Sequence, residues 1–171
     1  VPLEVRVSAP AAGTNLPVVV FSHGNGWNLD GYSPLTAFWA SHGFVVIQPT
    51  HLDSRRNGFG FDHPVFPTIW TERIADLTRI LDQLDTIEFA VPGLAGRIDR
   101  SRVAATGHSW GGQTAQSLLG ARIFDEAGQV GLGHGAQQQV VHGVSPGVVG
   151  ARQARARRLR SSRGVWPKWL L

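Results

Sequence analysis

The pentapeptide Gly107-His108-Ser109-Trp110-Gly111 decides the fold that we predict for this chain. It stands between an apolar run at 102–106, which favours a strand, and the stretch 112–119, which favours a helix. A Gly-x-Ser-x-Gly sequence in that context is typical of a sharp, strained turn that presents a nucleophilic serine. Glycines let neighbouring backbone pass close to the turn, and the helix N-terminus stabilises developing negative charge. We therefore predict that Ser109 is a nucleophile, the alternative being a structural Gly-rich turn.

Three continuous apolar runs predict strands that are covered on both faces, as in a parallel sheet. They span residues 17–22, 44–49 and 103–106. A short helix from Ser33 to Gly43, with Ser33 as N-cap, joins the first two and completes a strand-helix-strand unit. The alternating stretch 3–7 predicts a further, half-buried strand near a sheet edge.

The clearest helix lies at 71–84, after a long irregular segment at 50–70 that we expect to be functional or mobile. Its apolar residues, Ile74, Leu77, Leu81 and Leu84, fall on one face. The order β-β-α-β-α-β-α indicates an α/β fold, a mostly parallel sheet flanked by helices and incomplete at the C-terminus.

Two glycine-rich loops, at 23–26 and 107–112, each follow the carboxyl end of a predicted parallel strand. Ligands bind beyond the carboxyl ends of strands in such sheets. We therefore expect the two loops to meet on one rim of the sheet and to form the site there.

Composition narrows the possible functions. The 171 residues are 42% hydrophobic and 16% charged, which fits one globular domain. The chain has no cysteine, so it has no disulfide framework, thiolate metal site or cysteine nucleophile. It has no methionine either, which is compatible with a fragment. No run approaches the ~18 apolar residues of a membrane span and no signal pattern opens the chain, so the compartment stays open, with the cytoplasm slightly favoured.

Charge divides the chain near residue 126. Residues 1–126 hold all twelve acidic residues and nine arginines, a net charge of −3, whereas residues 127–171 hold seven basic residues and no acidic one. We assign 1–125 to the α/β core and 126–171 to a Gly/Arg-rich tail. Its composition fits either a solvated or disordered basic segment or out-of-frame translation of a GC-rich gene, and both interpretations stay open.

The segments Phe21–Gly26 and Gly107–Gly112, each placed after a strand, resemble the α/β-hydrolase fold. The closer resemblance is to bacterial esterases of the chlorophyllase, dienelactone hydrolase and platelet-activating-factor acetylhydrolase type, and it covers roughly residues 3–125. It implies that Ser109 attacks the carbonyl of a small-molecule carboxylic ester and forms an acyl-enzyme. It also implies an oxyanion hole formed by the backbone N–H of Trp110 and that of Asn25, with Gly24 or Gly26 as near alternatives to Asn25.

The rest of a catalytic triad is harder to place. In this fold the acid and then the histidine follow the serine along the chain. Downstream of Ser109 the only acids are Asp125 and Glu126, and the only histidines are His134 and His142. None follows a credible strand, so we interpret them as surface or tail residues. We therefore expect that the triad acid and base are missing and that activity is impaired.

Other motifs are weaker. The pair His51-x-Asp53 lacks a third ligand at sensible spacing, and Gly24-x-Gly26 lacks the remainder of a dinucleotide fingerprint, so we predict no metal and no cofactor. His23 and His108 flank the proposed site, and the resemblance implies that they are structural neighbours of the strained turn at 107–111, called the elbow below, and not the general base.

Four aromatic residues of the loops either line an acyl pocket or belong to the core, and both assignments stay open: Trp27, Phe59, Phe61 and Trp70.

A different class of function, a non-catalytic binding protein whose basic tail contacts nucleic acid or an acidic surface, is not favoured. The tail lacks interleaved aromatic residues, and the predicted core is net acidic. The sequence does not indicate an oligomeric state.

Overall fold

The computed structural model describes residues 2–121, 123–124, 130–131 and 151–159. Its strands and helices follow the predicted order through residue 118. The strands are β1 (Leu3–Pro10), β2 (Leu16–Ser22), β3 (Val45–Thr50), β4 (Ile98–Gly107), β5 (Ile123–Phe124), β6 (Val130–Gly131) and β7 (Ala151–Leu159). The helices are α1 (Ser33–Ser41), α2 (Ile69–Asp82), α3 (Leu84–Ala90) and α4 (Trp110–Leu118), and two 3-10 turns, Arg55–Asn57 and Phe66–Thr68, precede α2.

The main sheet has the strand order β4-β2-β3-β1-β7. Strand β2 runs parallel to both β3 and β4, whereas β1 runs antiparallel to β3 and to β7. The prediction of an α/β fold with a mostly parallel sheet flanked by helices is confirmed. Strand β1 lies next to the edge strand β7, in agreement with the predicted position near a sheet edge.

Apolar side chains cover both faces of the parallel strands, as their continuous apolar runs predict. On one face a cluster of β1, β2 and β3 residues packs against the buried side of α2 and α3. On the other face Phe21 and Val46 pack against Tyr32 and Trp39, from α1 and the loop before it. The two layers of helix hold the strand ends, and therefore the loops that follow them, in fixed positions.

Two helix details differ from the prediction. Helix α1 begins at Ser33 itself, with Tyr32 as the N-cap, because the Ser33 hydroxyl bonds to the carbonyl of Asp30 and to Arg6 instead of capping the helix. The helix predicted at 71–84 is α2, which begins and ends two residues earlier, and the separate helix α3 follows it from Leu84 to Ala90.

Most of the segment assigned to the tail lies outside the described residues, including Glu126, His134 and His142, and so does Asp125, the last residue assigned to the core. Within it, the described stretch 151–159 forms β7, which pairs with β1 from Leu3 to Pro10. The assignment of 126–171 as a separate tail stays a prediction.

Candidate active site

Ser109 lies in the turn between β4 and α4 with φ 54° and ψ −121°. A positive φ is uncommon for a residue other than glycine, and it marks stored backbone strain that the surrounding structure must hold. The side chain is exposed, and the residue directly precedes the first turn of α4. The strained strand-turn-helix geometry expected for the pentapeptide is therefore present.

Backbone packing explains both glycines of the pentapeptide. A Cβ on Gly111 would lie 2.0 Å from the carbonyl oxygen of Ser22, and one on Gly107 would lie 2.3 Å from the backbone of Gly111. The N–H of His108 donates to the Ser22 carbonyl at 3.2 Å. The turn thus sits directly on the end of β2, which confirms that the two glycine-rich loops meet on one rim.

The loop after β2 presents three consecutive N–H groups next to this turn. The Gly24 N–H donates to the Tyr32 hydroxyl at 3.2 Å, and the Gly26 N–H donates to Oδ2 of Asp53 at 3.1 Å. Within the described residues, no acceptor receives the N–H of Asn25 or that of Trp110. Of the three candidate donors in this loop, Asn25 is the one with an uncommitted N–H.

The loop and the turn are also joined through side chains. The Tyr32 hydroxyl lies 2.9 Å from Nδ1 of His108, so one hydroxyl bridges Gly24 and the residue before Ser109. His23 is buried beneath the loop, where its Nδ1 donates to the Gly24 carbonyl and its Nε2 accepts the N–H of His51. His23 has the buried, hydrogen-bonded surroundings that the resemblance implied, whereas His108 is exposed and its structural role stays a prediction.

Arg73 of α2 lies under the loop and connects it to three elements. Its Nη1 lies 2.7 Å from both carboxylate oxygens of Asp53, and both side chains are 0% exposed. Its Nη2 donates to the carbonyl of His23, and its Nε donates to Thr114 of α4 at 3.1 Å. The guanidinium also lies 5.3 Å from the centre of the Trp110 ring. Arg73 therefore ties the loop after β2, the loop after β3 and the start of α4 together.

A serine, a histidine and an aspartate form a second hydrogen-bonded chain beside Arg73. The Ser22 Oγ lies 2.9 Å from Nε2 of His51, and Nδ1 of His51 lies 2.9 Å from Oδ2 of Asp76. Arg73 donates to the same Ser22 oxygen, and Arg79 donates to Oδ1 of Asp76. Ser22 is 0% exposed, so this chain is a buried network and cannot meet a substrate.

Burial sets the protonation states of this network. It lowers the pKa of His23 to about 3, helped by His51 and Arg73, and it lowers the pKa of His51 well below 6.5, helped by Arg73. Burial raises the pKa of Asp76 to about 7, against the opposing effect of Arg79. Both histidines are therefore neutral near pH 7.

A cavity of about 190 Å³ opens beside Asn25 and Gly26. Three phenylalanines line it, Phe59, Phe61 and Phe66, together with Asp53, Arg55 and Gly60. The ring centre of Phe66 lies 5.7 Å from that of Trp110, which places this aromatic wall next to the turn that carries Ser109. Two of the four aromatic residues considered from sequence, Phe59 and Phe61, thus line a cavity. Trp27 and Trp70 do not line it.

The two residues weighed as metal ligands bond to other side chains. His51 bonds to Ser22 and Asp76, and Asp53 pairs with Arg73. Across residues 2–121 and the short described stretches beyond them, no three metal-ligating side chains are placed to hold an ion. In the same residues, no helix is long and apolar enough to cross a membrane.

Sequence reasoning missed Arg73 and the buried chain from Ser22 to Asp76. A signal for them was present, because Arg73 and Asp76 occupy positions next to Ile74 and Leu77 on the buried side of α2. Charged residues on the buried arc of an amphipathic helix require buried partners.

Comparison with known proteins identifies the family. The chlorophyllase family model matches residues 1–123. A platelet-activating factor acetylhydrolase from Cavia porcellus is 27% identical over an alignment of 142 positions, and the match covers 63% of this chain and 32% of that protein.

Solved esterases also match. The match to a Pyrobaculum calidifontis esterase (22% identity, TM-score 0.49) covers 68% of this chain and 34% of the esterase chain. The match to the ferulic acid esterase from Streptomyces cinnamoneus (25% identity, TM-score 0.49) covers 63% of this chain and 34% of that esterase chain. The chain spans about a third of the length of these proteins. The resemblance to chlorophyllase-like esterases is confirmed by the family match over most of the chain, and the chain belongs to the chlorophyllase family.

Proposed function

We propose that this chain carries the nucleophile and the oxyanion hole of a serine hydrolase that acts on carboxylic esters. The observation that carries the proposal is the strained, exposed Ser109 at the start of α4, next to two uncommitted N–H groups. Strain of this kind persists where the surrounding structure enforces it, and it concentrates at functional sites.

In the proposed reaction the Oγ of Ser109 attacks the ester carbonyl carbon and its proton passes to a base. The carbonyl oxygen becomes an oxyanion, which accepts hydrogen bonds from the N–H groups of Asn25 and Trp110. The tetrahedral intermediate collapses, the alcohol leaves with a proton, and an acyl-enzyme remains for water to hydrolyse.

Among the described residues, no histidine forms a hydrogen bond with the Ser109 hydroxyl. His51 is turned toward Ser22 and Asp76, and His108 bonds through Nδ1 to Tyr32. Asp125, Glu126, His134 and His142 lie outside the described residues. A serine without its base is a weak nucleophile near pH 7, so we propose impaired turnover for the chain as it stands.

A phosphonate probe and an ester substrate separate these claims. The purified chain is treated with a fluorophosphonate and, in parallel, with a short-chain nitrophenyl ester, beside Ser109→Ala. Labelling that disappears in the variant supports the nucleophile, even where the labelling is slow because the serine has no base. Labelling without turnover indicates an elbow without its acid-base partners. Equal labelling of both proteins, or labelling of neither, contradicts the proposal.

A further inference from the structure

The cavity beside Asn25 is lined by a positively charged side chain, Arg55, which has no carboxylate partner in the described part of the chain. Asp53 lines the same cavity, but Arg73 holds both of its carboxylate oxygens and Gly26 donates to one of them. The described residues give the Arg55 guanidinium no carboxylate partner, whereas Arg56, the next residue, pairs with Asp30. Asp62 lies beside Gly60 but does not line the cavity.

Arg55 is held close to the proposed oxyanion loop. Its N–H donates to the Gly26 carbonyl at 3.1 Å, and its Nε lies 3.1 Å from the position that a Cβ on Gly26 would occupy. Gly26 has φ +71°, so the absence of a side chain there serves both the turn and the path of the Arg55 side chain. The charge therefore lies over the same loop that presents the Asn25 N–H.

Aromatic rings form the rest of the cavity wall. Phe61 packs edge-on against Phe66 with ring centres 4.9 Å apart, yet Phe61 is 74% exposed. A large exposed apolar side chain at the mouth of a cavity is available to a ligand. At about 190 Å³ the cavity is below the ~300–1,000 Å³ of sites for drug-sized ligands, so it fits one ring-sized group.

We infer that this cavity is the acyl-group subsite of the proposed hydrolase and that it takes a single aromatic ring bearing a carboxylate, which pairs with Arg55. The inference rests on the proposed function for the ester chemistry at Ser109. The ring packs against Phe59, Phe61 and Phe66, and the planar guanidinium of Arg55 matches the two oxygens of a carboxylate. The preferred substrates are thus esters whose acyl part is an aromatic acid with a second, free carboxylate.

Equilibrium binding tests the ligand class without requiring catalysis. Isothermal titration of the full chain with benzoate and with its neutral analogue benzamide compares a carboxylate with a carboxamide of similar shape. We expect the carboxylate to bind about tenfold more tightly. Arg55→Gln abolishes this preference, Arg55→Lys restores part of it, and Arg56→Gln leaves it intact because Arg56 does not line the cavity.

A separate substitution tests the aromatic wall of the cavity. Phe61→Ala is expected to weaken both ligands equally, and because Phe61 is largely exposed, the fold should be retained. Equal binding of the two ligands, equal effects of the Arg55 and Arg56 substitutions, or no detectable binding of the carboxylate overturns the inference.

Labelling of Ser109 separates the two proposals. In the wild type, benzoate should slow fluorophosphonate labelling, and this protection should be lost in Arg55→Gln. Ser109 labelling without Arg55-dependent binding overturns the subsite and leaves the hydrolase standing. Arg55-dependent binding with no labelling of Ser109 contradicts the hydrolase and its acyl subsite, and retains only the ligand class of the cavity.

Discussion

Arg73 and Asp53 form a fully buried ion pair in which one guanidinium nitrogen lies 2.7 Å from both carboxylate oxygens. The pair lies directly beneath the loop that presents Asn25, because Asp53 also accepts the Gly26 N–H. Burial lowers the pKa of Arg73 but Asp53 opposes that effect, so the pair stabilises its own charges. The position of the loop therefore depends on a contact between α2 and the segment after β3.

Breaking this pair should be costly. Arg73→Leu leaves the Asp53 carboxylate buried without its partner, and such losses cost about 3–5 kcal/mol of unfolding free energy. Chemical denaturation of the wild type and the variant measures the difference. Arg56→Leu is the control, since its pair with Asp30 is partly exposed and should contribute less than about 1 kcal/mol. Similar losses in the two variants would contradict a special role for the buried pair.

Gly111 and Gly112 offer a matched pair of substitutions at the elbow. Gly111→Ala forces a Cβ within 2.0 Å of the Ser22 carbonyl, so we expect a loss of about 1–3 kcal/mol or more and loss of Ser109 labelling. Gly112→Ala meets only ordinary contacts at 3.5 Å, and alanine is the better helix former by about 0.5–1 kcal/mol. Denaturation midpoints and labelling rates measure both effects. A labelled, stable Gly111→Ala protein would show that the close approach is not required.

The two serines near the rim should respond differently to substitution. Ser22→Ala leaves Nε2 of His51 and a donor of Arg73 without their shared partner, at a cost of about 1–3 kcal/mol. Fluorophosphonate labelling should survive, because Ser22 is buried, whereas Ser109→Ala should abolish it. Labelling that depends on Ser22 would mean that the buried chain is the reactive one.

Tyr32→Phe tests the bridge between the loop and the elbow. The ring contacts with Phe21 are retained, but the Gly24 N–H and Nδ1 of His108 both lose the hydroxyl. We expect the unfolding free energy to fall by about 0.5–1.5 kcal/mol. The same energy lost from the transition state of labelling would slow the labelling of Ser109 about two- to tenfold. A labelling rate equal to that of the wild type would show that the bridge does not position the donors.

Acid should destabilise the fold through His23. Its pKa is lowered in the folded chain, so between pH 6.5 and about 3 the unfolded chain binds a proton that the folded chain excludes. The unfolding free energy therefore falls as the pH falls through this window. His51 adds to the fall, and Asp76, whose pKa is raised, opposes it. Urea denaturation at pH 7.5 and pH 4.5 should show a smaller fall for His23→Gln than for the wild type, and an equal fall would contradict the assignment.

Local patterns predicted the strands, the elbow and the meeting of the two loops, because each depends on residues close together in sequence. The apolar run Pro17–Ser22 predicted where the loop 23–26 begins, and the glycines on either side of Ser109 predicted the strained turn. The ion pair of Arg73 with Asp53 and the bond of His51 to Asp76 join residues 20 and 25 positions apart. Only the packing of α2 against the strand ends brings these side chains together, so no local period reveals them. The pairing of β7 with β1 spans most of the chain and was missed for the same reason.

The uncommitted amides of Asn25 and Trp110 belong to the main chain, and glycine contacts fix where that main chain runs. A substitution at position 25 or 110, proline aside, changes a side chain without deleting the donor. The stretch 55–66, which contributes Arg55 and the three phenylalanines, forms no strand of the sheet. In the proposed hydrolase, substitutions in the stretch 55–66 would change what fits beside Ser109, while Gly107 and Gly111 would preserve how the serine is presented, so the proposed reaction and its substrate preference depend on different positions.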